Sequence, residues 1–323
     1  MPTVNRAHLP KSRRHLTIGQ VMRCILSMIP LQRFLMTILL CSLLASPAGV
    51  FAGSSVSMDK VILALKPDKD PDRMLAERTA LSEILSKAFG KPVEVIVPTS
   101  AAVIAEGLKN GTIDLAHVSA TEMVTIRDAG AGDVLLAGER DGLPSYKSYW
   151  VSLADKPYDS VEDLRGKPIA FSSRTSTSGF LIPMVDLLDR GLLSGADAEE
   201  FFGKGNVVFG SGYVSAVERV LRGEVEAAAV SYYVLDEGNY LTDDQRAKLK
   251  KVAEQGPVPT HVIAVASSLN DSDKSALKSG LISLKQSATE TSNAVFSADL
   301  VEVDADKHLA PVEKALTLMG QRK

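Results

Sequence analysis

The chain has 323 residues, with 36 Lys and Arg against 39 Asp and Glu, 5% aromatic residues and two cysteines. A hydrophobic share of 45% and a charged share of 23% exclude a disordered chain, and the near-neutral balance argues against a nucleic-acid partner, whose domain would be basic. Two cysteines cannot furnish a zinc set, so no metal and no cofactor is expected.

Residues 1–52 read as an address rather than a fold. They hold Arg6, Lys11, Arg13, Arg14, Arg23 and Arg33 and no acid. An uncharged, mostly apolar run from Phe34 to Ala45 follows, and small residues lead to Ala52. This is the pattern of a secretory signal peptide, cut after Ala52, with the periplasm as destination. The run is shorter than the roughly 20 apolar residues that a membrane span needs. Leu40 is too large for a lipoprotein cleavage site before Cys41. Ser12-Arg13-Arg14-His15-Leu16 looks like a twin-arginine signal, but an over-extended start, with Met22 or Met28 as initiator, is the preferred reading. Removing six bases leaves 30 against 39 acids, so residues 53–323 carry about -9 and no cysteine.

From Lys60 onward, strand and helix alternate. Val61–Leu65 is a short apolar run and reads as a buried strand. Asp70-Pro71 opens a helix, which Gly90 stops. Val93–Val97 is the next strand, Ser100 caps a helix through Leu108, and Ile113–Val118 is a third strand before a helix from about Ala120. Tyr146–Ala154 reads as a strand leaving the first lobe. The pattern then repeats: strand 168–171, helix 177–190, strand 207–209, helix 213–222 and strand 227–230. His261–Ala266 is a returning strand, and helices near 271–290 and 310–319 are expected to pack on lobe one. The fold class is therefore α/β, with two βαβ-type lobes and a cleft between them. Lobe one takes 53–153 plus 258–323 and lobe two takes 154–257, with two crossings forming a hinge.

One segment recurs. Gly111–Ser119 aligns with Gly223–Ser231, which places Ser119 and Ser231 at the carboxyl ends of strands. In open α/β sheets that end faces the ligand crevice. The richest chemistry is Ser172-Ser173-Arg174-Thr175-Ser176-Thr177-Ser178-Gly179, between a strand and a helix. A helix start leaves N–H groups free and carries partial positive charge. Hydroxyls beside it make an oxyanion socket. No Gly-x-Ser-x-Gly occurs there and no His lies nearby, so a serine hydrolase is disfavoured.

Ser176-Thr177-Ser178-Gly179-Phe180-Leu181-Ile182-Pro183 resembles the STSG-(Y/F)-L-x-P signature of periplasmic phosphonate- and phosphite-binding proteins (PhnD-like) of ABC transporters. Leu108–Ala116, Tyr146-Lys147-Ser148, Val161–Lys167 and Phe209–Tyr213 are similar to further segments of that family, so the resemblance covers nearly all of the chain beyond the signal segment. It implies a type II periplasmic binding protein that captures a small anionic ligand, a phosphonate or phosphite, by hinge closure. It further implies a membrane ABC permease as partner, a monomeric state and no enzymatic step. Ser176, Thr177 and Ser178 are then expected to hold the oxyanion, with Tyr146 opposite. Tyr213 stands in place of the family's ligand-contacting histidine and donates a hydrogen bond without becoming cationic. His117-Val118-Ser119-Ala120 replaces the family's usual Trp-Phe-Gly-Pro. Ser119, Thr121 and Ser231 are additional candidate donors. His117 reads as a hydrogen-bonded core histidine, and His261 as a hinge marker. The alternatives are another oxyanion or a sulfonate as ligand, or a sensing role with a membrane receptor.

Overall fold

The computed structural model describes residues 56–66, 71–237, 240–284, 296 and 299–322. The expected signal segment and its cleavage point lie outside them. Eleven strands are described: β1 (Val61–Leu65), β2 (Val93–Ile96), β3 (Leu115–Val118), β4 (Gly132–Glu139), β5 (Ser145–Leu153), β6 (Ile169–Phe171), β7 (Val207–Phe209), β8 (Ala227–Ser231), β9 (Leu249–Pro259), β10 (Val262–Ala266) and β11 (Asp299–Val301). They form a six-stranded sheet of order β11-β4-β10-β3-β1-β2 and a five-stranded sheet of order β7-β6-β8-β5-β9.

Each sheet has a parallel heart, β3-β1-β2 in the first and β7-β6-β8 in the second. Strands that return from the other lobe add antiparallel partners, β10 on β3 and β5 on β8. Parallel strands covered on both faces read as continuous apolar runs, and VILAL, IAF and AAAVS are of that kind. The repeat is structural. In both copies a helix ends just before the glycine, and Gly111 (φ 76°) and Gly223 (φ 71°) adopt the left-handed conformation that turns the chain into β3 and β8. The repeat's acids serve the scaffold: Asp114 accepts the Ile62 N–H at 2.7 Å, and Glu226 accepts from Lys156 and Tyr158.

Two expectations are corrected. Tyr146–Leu153 does not pair in the first sheet but lies between β8 and β9 in the second. The crossings therefore fall between Glu139 and Ser145 and between Pro259 and Val262, and the first comes earlier than the expected boundary at 153/154. The last helix, Ala305–Leu318, does not pack on lobe one alone. Leu309, Val312, Ala315 and Leu316 are buried in one cluster that holds Met123 and Ile126 of the first lobe with Leu181 and Met184 of the second. An apolar face on a helix takes whichever surfaces complete its burial, and here both lobes supply them. Lys314–Asp189 and Arg127–Asp306 ion pairs flank the same bridge.

Candidate functional site

The hydroxyl-rich segment leaves β6 and turns into a helix. Ser172 Oγ is buried and donates to the Ala229 carbonyl at 2.7 Å, which ties the turn to β8. Ser176 is the N-cap and accepts the Gly179 N–H at 2.9 Å. The first turn, Thr177–Leu181, is widened to a π-turn in which the Ile182 N–H reaches the Thr177 carbonyl. Such turns often mark functional positions. Ile182–Asp189 then continues as α-helix. By their place in the first turn, the Thr177 and Ser178 amides have no intrahelical acceptor, and the helix end adds positive potential. Gly179 is required for space: a Cβ there would stand 2.5 Å from Ser172 Cβ and 2.8 Å from Ser176 Oγ.

Three more of the expected residues, Tyr213, Tyr146 and Thr121, converge on Ser176, Thr177 and Ser178 in this turn. Ser178 Oγ and Tyr213 OH share a 2.7 Å hydrogen bond, and Ser176 Oγ reaches Tyr213 OH at 3.4 Å. Tyr146 OH lies 3.4 Å from Ser178 Oγ. Thr121 Oγ1 of the first lobe and Thr177 Oγ1 of the second meet at 2.7 Å, both buried. Behind them Ser148 Oγ donates to the Ser178 carbonyl and accepts from Gln255 Nε2. This second layer was not singled out in the sequence. Burial and the neighbouring Tyr213 hold the Tyr146 phenol well above its usual range. It is therefore a donor at neutral pH.

The two repeat serines differ. Ser119 is engaged in its own capping box, bonding the Glu122 carboxylate and accepting the Glu122 N–H. Ser231 is fully buried, and its Oγ has no partner among the described residues. The β5–β8 register places it opposite Ser148, so both side chains lie on the face covered by the Thr177–Leu181 turn.

Tyr146 also lines a cavity of about 30 Å³ with Gly138, Arg140, Tyr233, Thr260, His261 and Phe296. Arg140 Nη1 donates to Tyr232 OH and Glu237 Oε1, both at 2.9 Å. The His117 ring lies 5.4 Å from those of His261 and Phe296, centroid to centroid. Burial, with the charges of Lys66 and Arg140 behind it, lowers the His261 pKa to about 4. Burial, with His261 and Lys66 behind it, lowers His117 to about 3. The expectation of a hydrogen-bonded core histidine is replaced by a half-buried ring in an aromatic cluster. Arg140, Thr260 and Phe296 come from separate segments that carry no local motif, so nothing in the sequence marks them as neighbours.

A family profile described as ABC transporter, phosphonate, periplasmic substrate-binding protein matches residues 63–308. The chain belongs to that family. A curated relative, the phosphate-import protein PhnD of Mycolicibacterium smegmatis, is 27% identical over 173 residues, which is 52% of this chain. The chain thus spans about half (54%) of that relative's length. PhnD1 of Prochlorococcus marinus, solved with methylphosphonate, superposes with a TM-score of 0.67 at 18% identity, covering 81% of this chain and 99% of that one. XAC2383 of Xanthomonas citri, solved with ATP, gives 0.64 at 19% identity, covering 81% and 99%. These likenesses establish the type II periplasmic binding protein fold. Periplasmic substrate-binding proteins of this family work outside the cytoplasm in transport. Among the described residues no helix is long and apolar enough to cross a membrane.

Proposed function

We propose that this phosphonate-family protein captures a small phosphorus oxyanion, a phosphonate or phosphite, in the periplasm and delivers it to a membrane ABC permease. The observation that carries this reading is the convergence of hydroxyls from both lobes on one helix start. Ser176, Thr177, Ser178 and Tyr213 from lobe two meet Thr121 from lobe one there, beside Tyr146 of the crossing strand β5. An anion there receives O–H donors, two first-turn amides and the positive end of the helix. Ligand contacts to both lobes exist only when the lobes are together, so binding favours closure. Residues 1–52 act as a signal peptide removed after Ala52, the mature protein works as a monomer, and no reaction is performed on the ligand. The family match and the curated phosphate-import relative support the ligand class.

The test is thermal unfolding of the purified protein with phosphite, phosphate, methylphosphonate and an alkylsulfonate. At 100 times Kd a true ligand stabilises by about 2.7 kcal/mol. The phosphorus anions are expected to raise Tm, and Thr177→Ala is expected to abolish the shift. A shift with the sulfonate alone, or full binding by Thr177→Ala, would overturn the assignment.

A further inference from the structure

The π-turn at the socket leaves one carbonyl without a helical donor. Its hydrogen bonds reach five residues back, from the Leu181 N–H to the Ser176 carbonyl and from the Ile182 N–H to the Thr177 carbonyl. The next donor in that series would be Pro183, which has no N–H. The orphan is the Ser178 carbonyl, and a strand supplies what the helix cannot. Ser148 Oγ of β5 donates to it at 2.5 Å, with both residues fully buried. The other end of the same peptide group is held too, because the Gly179 N–H donates to Ser176 Oγ. Tyr146 and Ser148 stand on one face of β5, and Tyr146 OH reaches Ser178 Oγ. Strand β5 thus grips Ser178 by its hydroxyl and its carbonyl.

We propose that Gln255 is a positioning residue for the oxyanion socket, acting through Ser148. The proposal rests on the oxyanion reading above. Gln255 lies opposite Ser148 on β9, is buried, and donates from Nε2 to Ser148 Oγ at 2.7 Å. A hydroxyl has one hydrogen. With the Gln255 amide donating to its oxygen, Ser148 directs that hydrogen to the Ser178 carbonyl. The reversed amide would take the hydrogen for Oε1 and strand a buried carbonyl. Gln255 Oε1 has no partner among the described residues, so the bond to Ser148 is what orients this amide. The charged neighbours Lys147 and Glu254 pair with each other on the opposite face of these strands. The relay therefore runs one way, from Gln255 to Ser148 to Ser178, and fixes the peptide group beside the Ser178 hydroxyl and amide.

Titration calorimetry with phosphite on purified variants tests this. Gln255→Leu leaves Ser148 free to donate to the carbonyl. Gln255→Glu keeps the shape but, once ionised, accepts the Ser148 hydrogen and reverses the relay. From about pH 5.5 to about pH 9, a span that covers a carboxyl raised by burial, the affinity of Gln255→Glu relative to the parent at each pH is expected to fall. The fall is at least about tenfold and ends below Gln255→Leu, whereas a packing role would favour Glu, the closer shape. A Gln255→Glu protein that tracks the parent across that span, or binds better than Gln255→Leu at its upper end, overturns the relay. Ser148→Ala is expected to weaken phosphite at least about fivefold, and by less in a Pro183→Ala background, where residue 183 regains an N–H for the Ser178 carbonyl. Equal losses in the two backgrounds show that Ser148 does not replace the missing donor. A parent that binds none of phosphite, phosphate and methylphosphonate overturns the oxyanion reading, and the relay falls with it.

Discussion

The close packing at Gly179 makes a sharp prediction about what shapes the hydroxyl turn. Gly179→Ala puts a methyl group 2.5 Å from Ser172 Cβ and 2.8 Å from Ser176 Oγ, and against Ser172 Oγ as well. Neither serine yields freely. Ser172 is held by its bond to the Ala229 carbonyl, and Ser176 Oγ is the acceptor for the very amide that would move. Overpacking a tight interior costs about 1–3 kcal/mol, and loss of an N-cap adds about 1 kcal/mol. A stability loss of about 2–4 kcal/mol is expected in urea unfolding, with Tm falling by about 2–4 °C for each kcal/mol. Affinity for phosphite should fall in parallel, because the amides of Thr177 and Ser178 shift with the turn. Adding Ser172→Gly removes both Ser172 atoms from the clash and should restore part of the loss. A Gly179→Ala protein that unfolds within about 0.5 kcal/mol of the parent and binds phosphite unchanged would refute this account of the turn.

The contact between Thr121 and Thr177 predicts coupling: each single Val substitution strands a buried hydroxyl and costs about 1–2 kcal/mol, while the double variant costs less than the two singles combined, as read by denaturant unfolding. Strict additivity would show that the lobes do not meet there. Tyr213→Phe removes the phenol hydroxyl from Ser178 and should weaken phosphite about five- to tenfold by titration calorimetry; an unchanged Kd would take Tyr213 out of the socket. For pH, His117 and His261 titrate near 3 and 4 in the folded chain and near 6.5 when unfolded. Below about pH 6.5 the unfolded chain therefore binds protons that the folded one refuses. Stability is full above that pH and falls toward pH 4, by up to about 1.4 kcal/mol per pH unit for each ring. Both rings keep some solvent contact, which makes that slope a ceiling. Tm measured from pH 7.5 to 5 should fall less steeply in His117→Phe than in the parent, and parallel curves would contradict the assignment.

The alternation of strand and helix was legible because its signals are local. Val61–Leu65 is an uninterrupted apolar run, Pro71 opens the next helix, and Gly90 (φ 65°) closes it. The hydroxyl cluster at the helix start was legible for the same reason, since its serines and threonine are contiguous. Sheet membership of β5 was not legible. Tyr149-Trp150-Val151 suits burial in either lobe, and only pairing with β8 and β9, far along the chain, decides it. The cavity beside Tyr146 was hidden in the same way, because Arg140 and Thr260 lie on the two crossings and Phe296 far along the chain, with no spacing to link them. Ser119 shows the converse error: its position at a strand end is that of a ligand donor, but Glu122 three residues on takes its hydroxyl into a cap.

The socket hydroxyls already bond protein groups: Ser178 with Tyr213, Thr177 with Thr121, and Ser176 with the Gly179 amide. Under the proposed function, ligand binding is therefore an exchange of hydrogen bonds rather than the filling of unmet ones. Hydroxyl hydrogens rotate, so Ser178, Tyr213, Thr121 and Thr177 can turn from each other to a ligand oxygen. A neutral solute offers an acceptor no better than the one given up and gains little. An anion offers charge-assisted bonds, roughly twice as strong, and meets the helix end as well. No free cation is needed at the socket. Arg140, whose charge bears on Tyr146, stays committed to Glu237 and Tyr232. Discrimination between anions and neutral solutes thus comes from the difference between two sets of hydrogen bonds, and the hydroxyl pairs seen here set the reference that a ligand must beat.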